Sequence, residues 1–216
     1  MSALFVTVLT LLLAYPLSWY LAYVAADQIK RLMIVALVIP YWINDILRAY
    51  AFRIIFGELG VVNTILLGMG AVQAPIDFIR SEVALHAGLA YAYLLLMVFP
   101  LYNVMANQNP AEIEAARDFG ASWSRIHRRI VLPFAMPGVA AGCTMVFMLS
   151  AGALAVPQVL GGPSTIWFTE LIYQSFFESL NWARGAAYAV ILLITSTVLV
   201  IVFARIFRVK IGELVQ

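Results

Sequence analysis

The sequence predicts an all-α integral membrane protein, and three observations carry that prediction. Of its 216 residues 64% are apolar and 11% charged, with a mean hydropathy of +0.95, where soluble domains carry about 25% charge. Five apolar stretches are long enough for a helix to cross the hydrocarbon layer. Between two of them lies the one long polar stretch, residues 109–137, NPAEIEAARDFGASWSRIHRRIVLPFAMP.

The first span is expected over Leu4 to Ala26, with Pro16 as a kink. No basic segment precedes it and no small-residue cleavage site follows, so it is not a secretory signal. After the basic turn Asp27 to Arg31, a second helix is expected from Leu32 to Phe56. Its second half carries Pro40, Asn44, Asp45, Arg48 and Arg53 and is not expected to face lipid. Asp45 and Arg48, three apart, form an ion pair in one reading and line a solute path with Tyr41 and Trp42 in the other. Residues 57–81, broken by Gly57, Gly60, Gly68, Gly70 and Pro75, read as a loop carrying a short interfacial helix over Val61 to Leu67. The third span is expected from Glu82 to Met105, with Pro100 near its end.

The fourth is expected from Val139 to Val159, ending at Pro157. Its small residues Gly138, Ala140, Ala141 and Gly142 favour close helix packing in lipid. Gly161-Gly162-Pro163 makes a turn, and Thr165 to Phe177, interrupted by Glu170 and Gln174 and followed by Glu178, reads as re-entrant or interfacial. The fifth span runs from Ala186 to Phe207, closed by Arg205, Arg208 and Lys210. No internal repeat or soluble domain interrupts the chain, which reads as a single unit over residues 1–216.

Within the polar stretch, Asn109 caps a helix, Pro110 takes its first position, and Glu112 stands where it closes a capping box. Ile113, Ala116 and Gly120 share one face, Gly120 ends the helix, and Glu114, Arg117 and Asp118 keep the remainder polar. A second amphipathic piece from Ser122 to Ile130 carries Arg125, Arg128 and Arg129, limited by Pro133 and Pro137. Either this is a loop helix lying on the membrane, or its small face is offered to another protein.

Charge sets the orientation. With five spans and a cytoplasmic C-terminus, Lys30, Arg31, Arg117, Arg125, Arg128, Arg129, Arg205, Arg208 and Lys210 lie inside, leaving Arg48, Arg53, Arg80 and Arg184 outside or embedded. Several functions are excluded. Cys143 sits in an apolar helix as a packing residue, and His86 and His127 stand in no metal motif, so neither metal nor cofactor is expected. A net charge of +2 without an aromatic and arginine platform points to no nucleic acid. Groupings of His, Cys, Ser and Asp suited to catalysis are missing, as is a phosphate-cradling glycine loop, so the chain is not an enzyme and ATP would have to be handled by another subunit.

Glu114-Ala115-Ala116, then Gly120, then Ile130-Val131-Leu132-Pro133, resembles the EAA signature of the membrane subunits of bacterial ABC importers. The resemblance implies a type I ABC importer transmembrane-domain fold in the inner membrane. It also implies a coupling helix bearing Glu114, Ala115, Ala116, Arg117, Asp118 and Gly120 that docks on an ATP-binding subunit dimer, a second permease subunit and a periplasmic solute-binding protein. That family usually has six spans with the signature between the fourth and fifth; here it falls between the third and fourth, so the family's first span is read as absent, through a late start or a naturally short subunit. Pro40-Tyr41-Trp42, Arg48-Ala49-Tyr50-Ala51, Gly60-Val61-Val62-Asn63, Leu160 to Thr165 and Asn181 to Ala187 resemble the spermidine/putrescine-type permeases, the "B" type of the paired subunits. The pattern usually has a short polar residue or Thr at position 43 to 44, where this chain has Ile43-Asn44-Asp45. Permeases for iron, phosphonates, opines or similar small solutes share much of it, and a truncated, non-transporting membrane scaffold is the other reading left open.

Overall fold

The computed structural model describes residues 2–162 and 166–206, and every regular element among them is helical. Three helices, α1 (Ser2–Tyr23), α5 (Val83–Ala106) and α8 (Leu132–Ala151), pack on one another pairwise. Val6, Leu21, Leu85, Leu89, Met97, Leu101 and Val146 are fully buried between them. Polar groups in this core are satisfied locally, as a low-dielectric interior requires. The Thr7 and Thr10 hydroxyls donate to the carbonyls of Ala3 and Val6, and the Ser18 hydroxyl donates to the Val98 carbonyl of α5 at 3.3 Å.

The small residues of α8 do what their spacing predicts. A Cβ at Gly138 would stand 2.7 Å from the Pro100 carbonyl oxygen, and one at Gly142 2.6 Å from the Met97 sulfur. The Gly138 contact is backbone on backbone, open at that range only to glycine, while at Gly142 the near neighbour is a side chain and the Met97 carbonyl oxygen lies at 3.3 Å.

Two expected helices are corrected. The helix read over residues 32–56 is broken: α2 (Asp27–Val38) runs into a 3-10 turn (Ile39–Trp42), and α3 (Asp45–Ile55) leaves at 99°. Ile43 is extended, and Asn44 starts a new helix by accepting the Ile46 amide on its side-chain oxygen at 2.8 Å. Pro40, which has no amide to give, sits in the turn between them.

The second correction concerns Pro133 and Pro137, which do not separate an amphipathic piece from a later span. One 29-residue rod, Trp123–Ala151, runs through both. It comprises α7 (Trp123–Ile126), a π turn (His127–Val131) and α8. The Leu132 amide bonds the His127 carbonyl five residues back, so the ladder is already widened where Pro133 enters the first turn of α8. The rod stops at Ala151 with Gly152 beyond it, and Pro157 lies instead in a separate helix, α9 (Ala155–Leu160).

The short helices match their expected places. α4 spans Val61–Gly68, and α10 (Phe168–Tyr173) continues through a π turn (Gln174–Glu178), too short to cross a bilayer. Trp167 ties this segment to the core by donating its indole N–H to the Ser150 carbonyl at 3.2 Å. α11 (Trp182–Ile206) closes the described chain. The turn residues Pro163 to Thr165, and Phe207, Arg208 and Lys210 beyond α11, lie outside the described residues.

Four helices are long and apolar enough to cross a membrane, and the bent pair α2 and α3 makes a fifth when counted as one span. Geometry favours that count. Tyr23 and Val24 border the same cavity as Pro110 and Trp123, whereas Ser2 and Phe5 border one with Ser81 and Val83. Residues 24–82 therefore begin at one end of the bundle and finish at the other.

Candidate functional site

The polar stretch folds into α6 (Pro110–Asp118) between α5 and the rod. Asn109 caps it, but through the Ala111 amide at 3.1 Å; among the described residues the capping box with the Glu112 carboxylate does not form. The C-terminal end is a Schellman motif. The Gly120 amide bonds the Arg117 carbonyl at 2.8 Å and the Ala121 amide bonds the Ala116 carbonyl at 3.0 Å. Gly120 has φ +72°, and a Cβ there would meet no atom of the described residues within 4 Å. The glycine is required by the backbone twist and not by crowding inside this chain.

The faces of α6 differ from the sequence reading. Ile113 and Ala116 are half-buried and turn toward the bundle, so the small face is not the one presented outward. Glu112, Glu114, Ala115, Arg117 and Asp118 are exposed, and Phe119 at the helix end is 92% exposed. Phe119 was missed because an aromatic beside a helix-ending glycine reads as a turn filler; only the structure frees its ring. Arg117 and Asp118 make no ion pair among the described residues.

An aromatic cluster beneath α6 also escaped the sequence reading. Trp19 lies with its ring 5.3 Å from that of Trp123, and His127 stands 5.0 Å from Trp123 and 5.5 Å from Tyr15. The Tyr15 hydroxyl and His127 Nε2 are hydrogen-bonded at 2.8 Å, and the Tyr23 hydroxyl donates to Gln108 Oε1 just before α6. The signal was the spacing: Tyr15, Trp19 and Tyr23 recur every four residues in α1, as do Trp123 and His127 in the rod. A cavity of about 460 Å³ separates the cluster from α6, with Ile113, Glu114 and Arg117 on its helix side.

The second group of expected site residues lies elsewhere. Arg48 is buried, paired with the half-exposed Asp45 carboxylate, seated 5.5 Å over the Tyr41 ring and within 3.5 Å of the Ala92 carbonyl. Its Nε has no hydrogen-bond partner among the described residues. Trp42 does not join them and is 86% exposed. From Ala92 to Ala106, where α5 ends just before α6, the helix rises about 21 Å. One continuous helix thus joins the Arg48 contact to the capped helix at the end of the bundle.

A bundle of membrane-length helices with a buried arginine paired to a half-exposed aspartate part-way along it, and an exposed, well-terminated helix between two spans, defines a membrane transport component. The chain belongs to the family of binding-protein-dependent transport system inner membrane components, which matches residues 2–210. It is 33% identical over 199 residues to the spermidine/putrescine transport system permease protein PotB of Haemophilus influenzae, covering 92% of this chain and 69% of that protein. To PotB of Escherichia coli K12 it is 33% identical over 206 residues, covering 95% and 74%. In fold it is similar to the crystal structure of a bacterial ABC transporter involved in the import of alginate, with a TM-score of 0.75 at 18% identity, covering 96% of this chain and 77% of that one. The chain is accordingly a multi-pass inner-membrane transport subunit of the ABC importer class, not an enzyme, and acts with an ATPase and a solute-binding protein.

Proposed function

We propose that this chain is one of two permease subunits of a polyamine importer, the "B"-type partner, carrying spermidine or putrescine received from a periplasmic binding protein. The observation that carries the substrate is the 33% identity to spermidine/putrescine permeases over nearly the whole chain. The whole of residues 1–216 then acts as one transmembrane permease unit with residues 109–137 as its cytoplasmic coupling loop. The C-terminus is cytoplasmic as well, supported by the basic bias of Arg205, Arg208 and Lys210.

In this reading an ATP-binding subunit dimer docks on the exposed side of α6. Glu114 and Asp118 make polar contacts, Ala115 lets the partner approach, and Phe119 supplies an apolar anchor. Arg117 adds a charge at the rim. Ala116 holds the helix against its own bundle, and Gly120 fixes the sharp exit that keeps α6 a rigid lever. Closure of the dimer moves α6, α5 transmits the movement, and the region of Tyr41, Trp42, Asp45 and Arg48 opens to alternate sides. The half-exposed Asp45 carboxylate offers a cationic solute a transient partner, and Arg48 prevents it from becoming a trap.

The test is reconstitution in liposomes with the second permease, the ATPase and the binding protein. ATP hydrolysis is expected to rise with spermidine or putrescine and to lose that rise in Gly120→Asp, with the complex still assembled. Stimulation by an unrelated solute alone would discard the polyamine reading; full coupling in Gly120→Asp would discard the lever.

A further inference from the structure

We propose that the cavity beneath α6 is a binding site for a primary alkylammonium ion, distinct from the transport path. Its walls are the rings of Trp19, Tyr23 and Trp123 on one side and Ile113, Glu114 and Arg117 on the other, around a volume of about 460 Å³. Trp19 stands 5.3 Å from Trp123 and 6.4 Å from Tyr23, so the three rings form one continuous aromatic wall. Aromatic faces attract ammonium groups through the ring quadrupole, most strongly where water is thinned out. Opposite them, Glu114 makes no ion pair among the described residues, which leaves its carboxylate free to accept charge-assisted hydrogen bonds. Rings plus one carboxylate recognise a cation with an N–H; an anion would meet the carboxylate and gain nothing from the rings. Arg117 is the one cation among these six residues, and it weakens the site.

The site matters because Glu114 also faces the proposed ATPase contact. An ammonium held there neutralises Glu114 and ties it to the aromatic wall, so cation on the ATPase side would slow coupled hydrolysis. That consequence rests on the coupling reading; the binding itself does not.

The experiment uses the full chain in lipid nanodiscs, labelled with 5-fluorotryptophan and followed by 19F NMR. The probe is ethylammonium chloride, with ethanol as the neutral counterpart and ionic strength held constant. The Trp19 and Trp123 resonances should shift saturably with the cation and not with ethanol, while Trp167 stays put. Glu114→Gln should weaken binding about tenfold and Tyr23→Leu about fivefold, and Arg117→Ala should tighten it about threefold. Absence of a saturable shift, or equal affinity in wild type and Glu114→Gln with Trp167 unmoved as a control of folding, overturns the site. In the assembled importer, ethylammonium on the ATPase side should slow hydrolysis less in Tyr23→Leu than in wild type, each measured against its own basal rate. Binding without any slowing would keep the site and overturn its control over coupled hydrolysis, while the lever itself stands or falls with Gly120→Asp.

Discussion

At the scale of single residues, two backbone arrangements depend on one residue each. Gly120 adopts a left-handed conformation with open space where a Cβ would go. Alanine there costs about 1 kcal/mol of local strain and leaves the α6 surface intact, so Gly120→Ala should retain most coupling. Aspartate adds a charge beside Phe119, and Gly120→Asp should abolish it; comparing the stimulated ATPase of the two variants separates the backbone from the docking face.

Asn63 is the other such residue. It is fully buried in α4, donates from Nδ2 to the Gly57 and Ile76 carbonyls at 3.0 and 2.9 Å, and accepts the Ile76 amide at 2.8 Å. It thereby fixes the tight Gly57–Gly60 turn, where a Cβ at Gly60 would lie 2.4 Å from the Ile54 and Ile55 carbonyl oxygens. Asn63→Ala leaves three backbone groups without their partner and should cost about 1–3 kcal/mol, seen as a lower unfolding temperature in detergent. An unchanged transition would mean that water replaces the amide.

At the scale of elements, α5 does two jobs. It packs against α1 and α8, and it spans the distance between the Arg48 contact at Ala92 and the start of α6. Its grip on α8 passes through Gly138 and Gly142, set one turn apart. Gly138→Leu must push Pro100 and Leu101 away and should destabilise the protein by about 1–3 kcal/mol, more than the same change at Gly68, where nothing lies within 4 Å. Parallel thermal melts of Gly138→Leu and Gly68→Leu check this; equal losses would argue that helix propensity and not packing sets the cost. The π turn at His127–Val131 belongs to the same scale. It lets a rod with two prolines remain one helix from Trp123 to Ala151.

At the scale of the whole molecule, the question is which ends face which side. The only cysteine, Cys143, is buried, so introduced cysteines can be read against a quiet background. Asp118→Cys should react with a membrane-impermeant maleimide only from the cytoplasmic side. Glu58→Cys, in the turn after α3, should react only from the opposite side, because residues 24–82 change ends of the bundle. Labelling of both from one side would mean that α2 and α3 form a re-entrant loop. The sequence alone determined the class, the long spans and the polar helix with its cap and terminating glycine, because composition, hydrophobic length and local hydrogen-bond chemistry are properties of consecutive residues. It offered the pairing of Asp45 with Arg48, three apart, as one of two readings, and the pair forms. It could not decide that α2 and α3 bend by 99°, that the rod runs unbroken past Pro133 and Pro137, or that Ile113 and Ala116 turn inward while Phe119 stands free. Each of those depends on contacts between residues far apart in the chain, such as Arg48 with Ala92 and Tyr15 with His127. Such contacts exist only once the helices have packed.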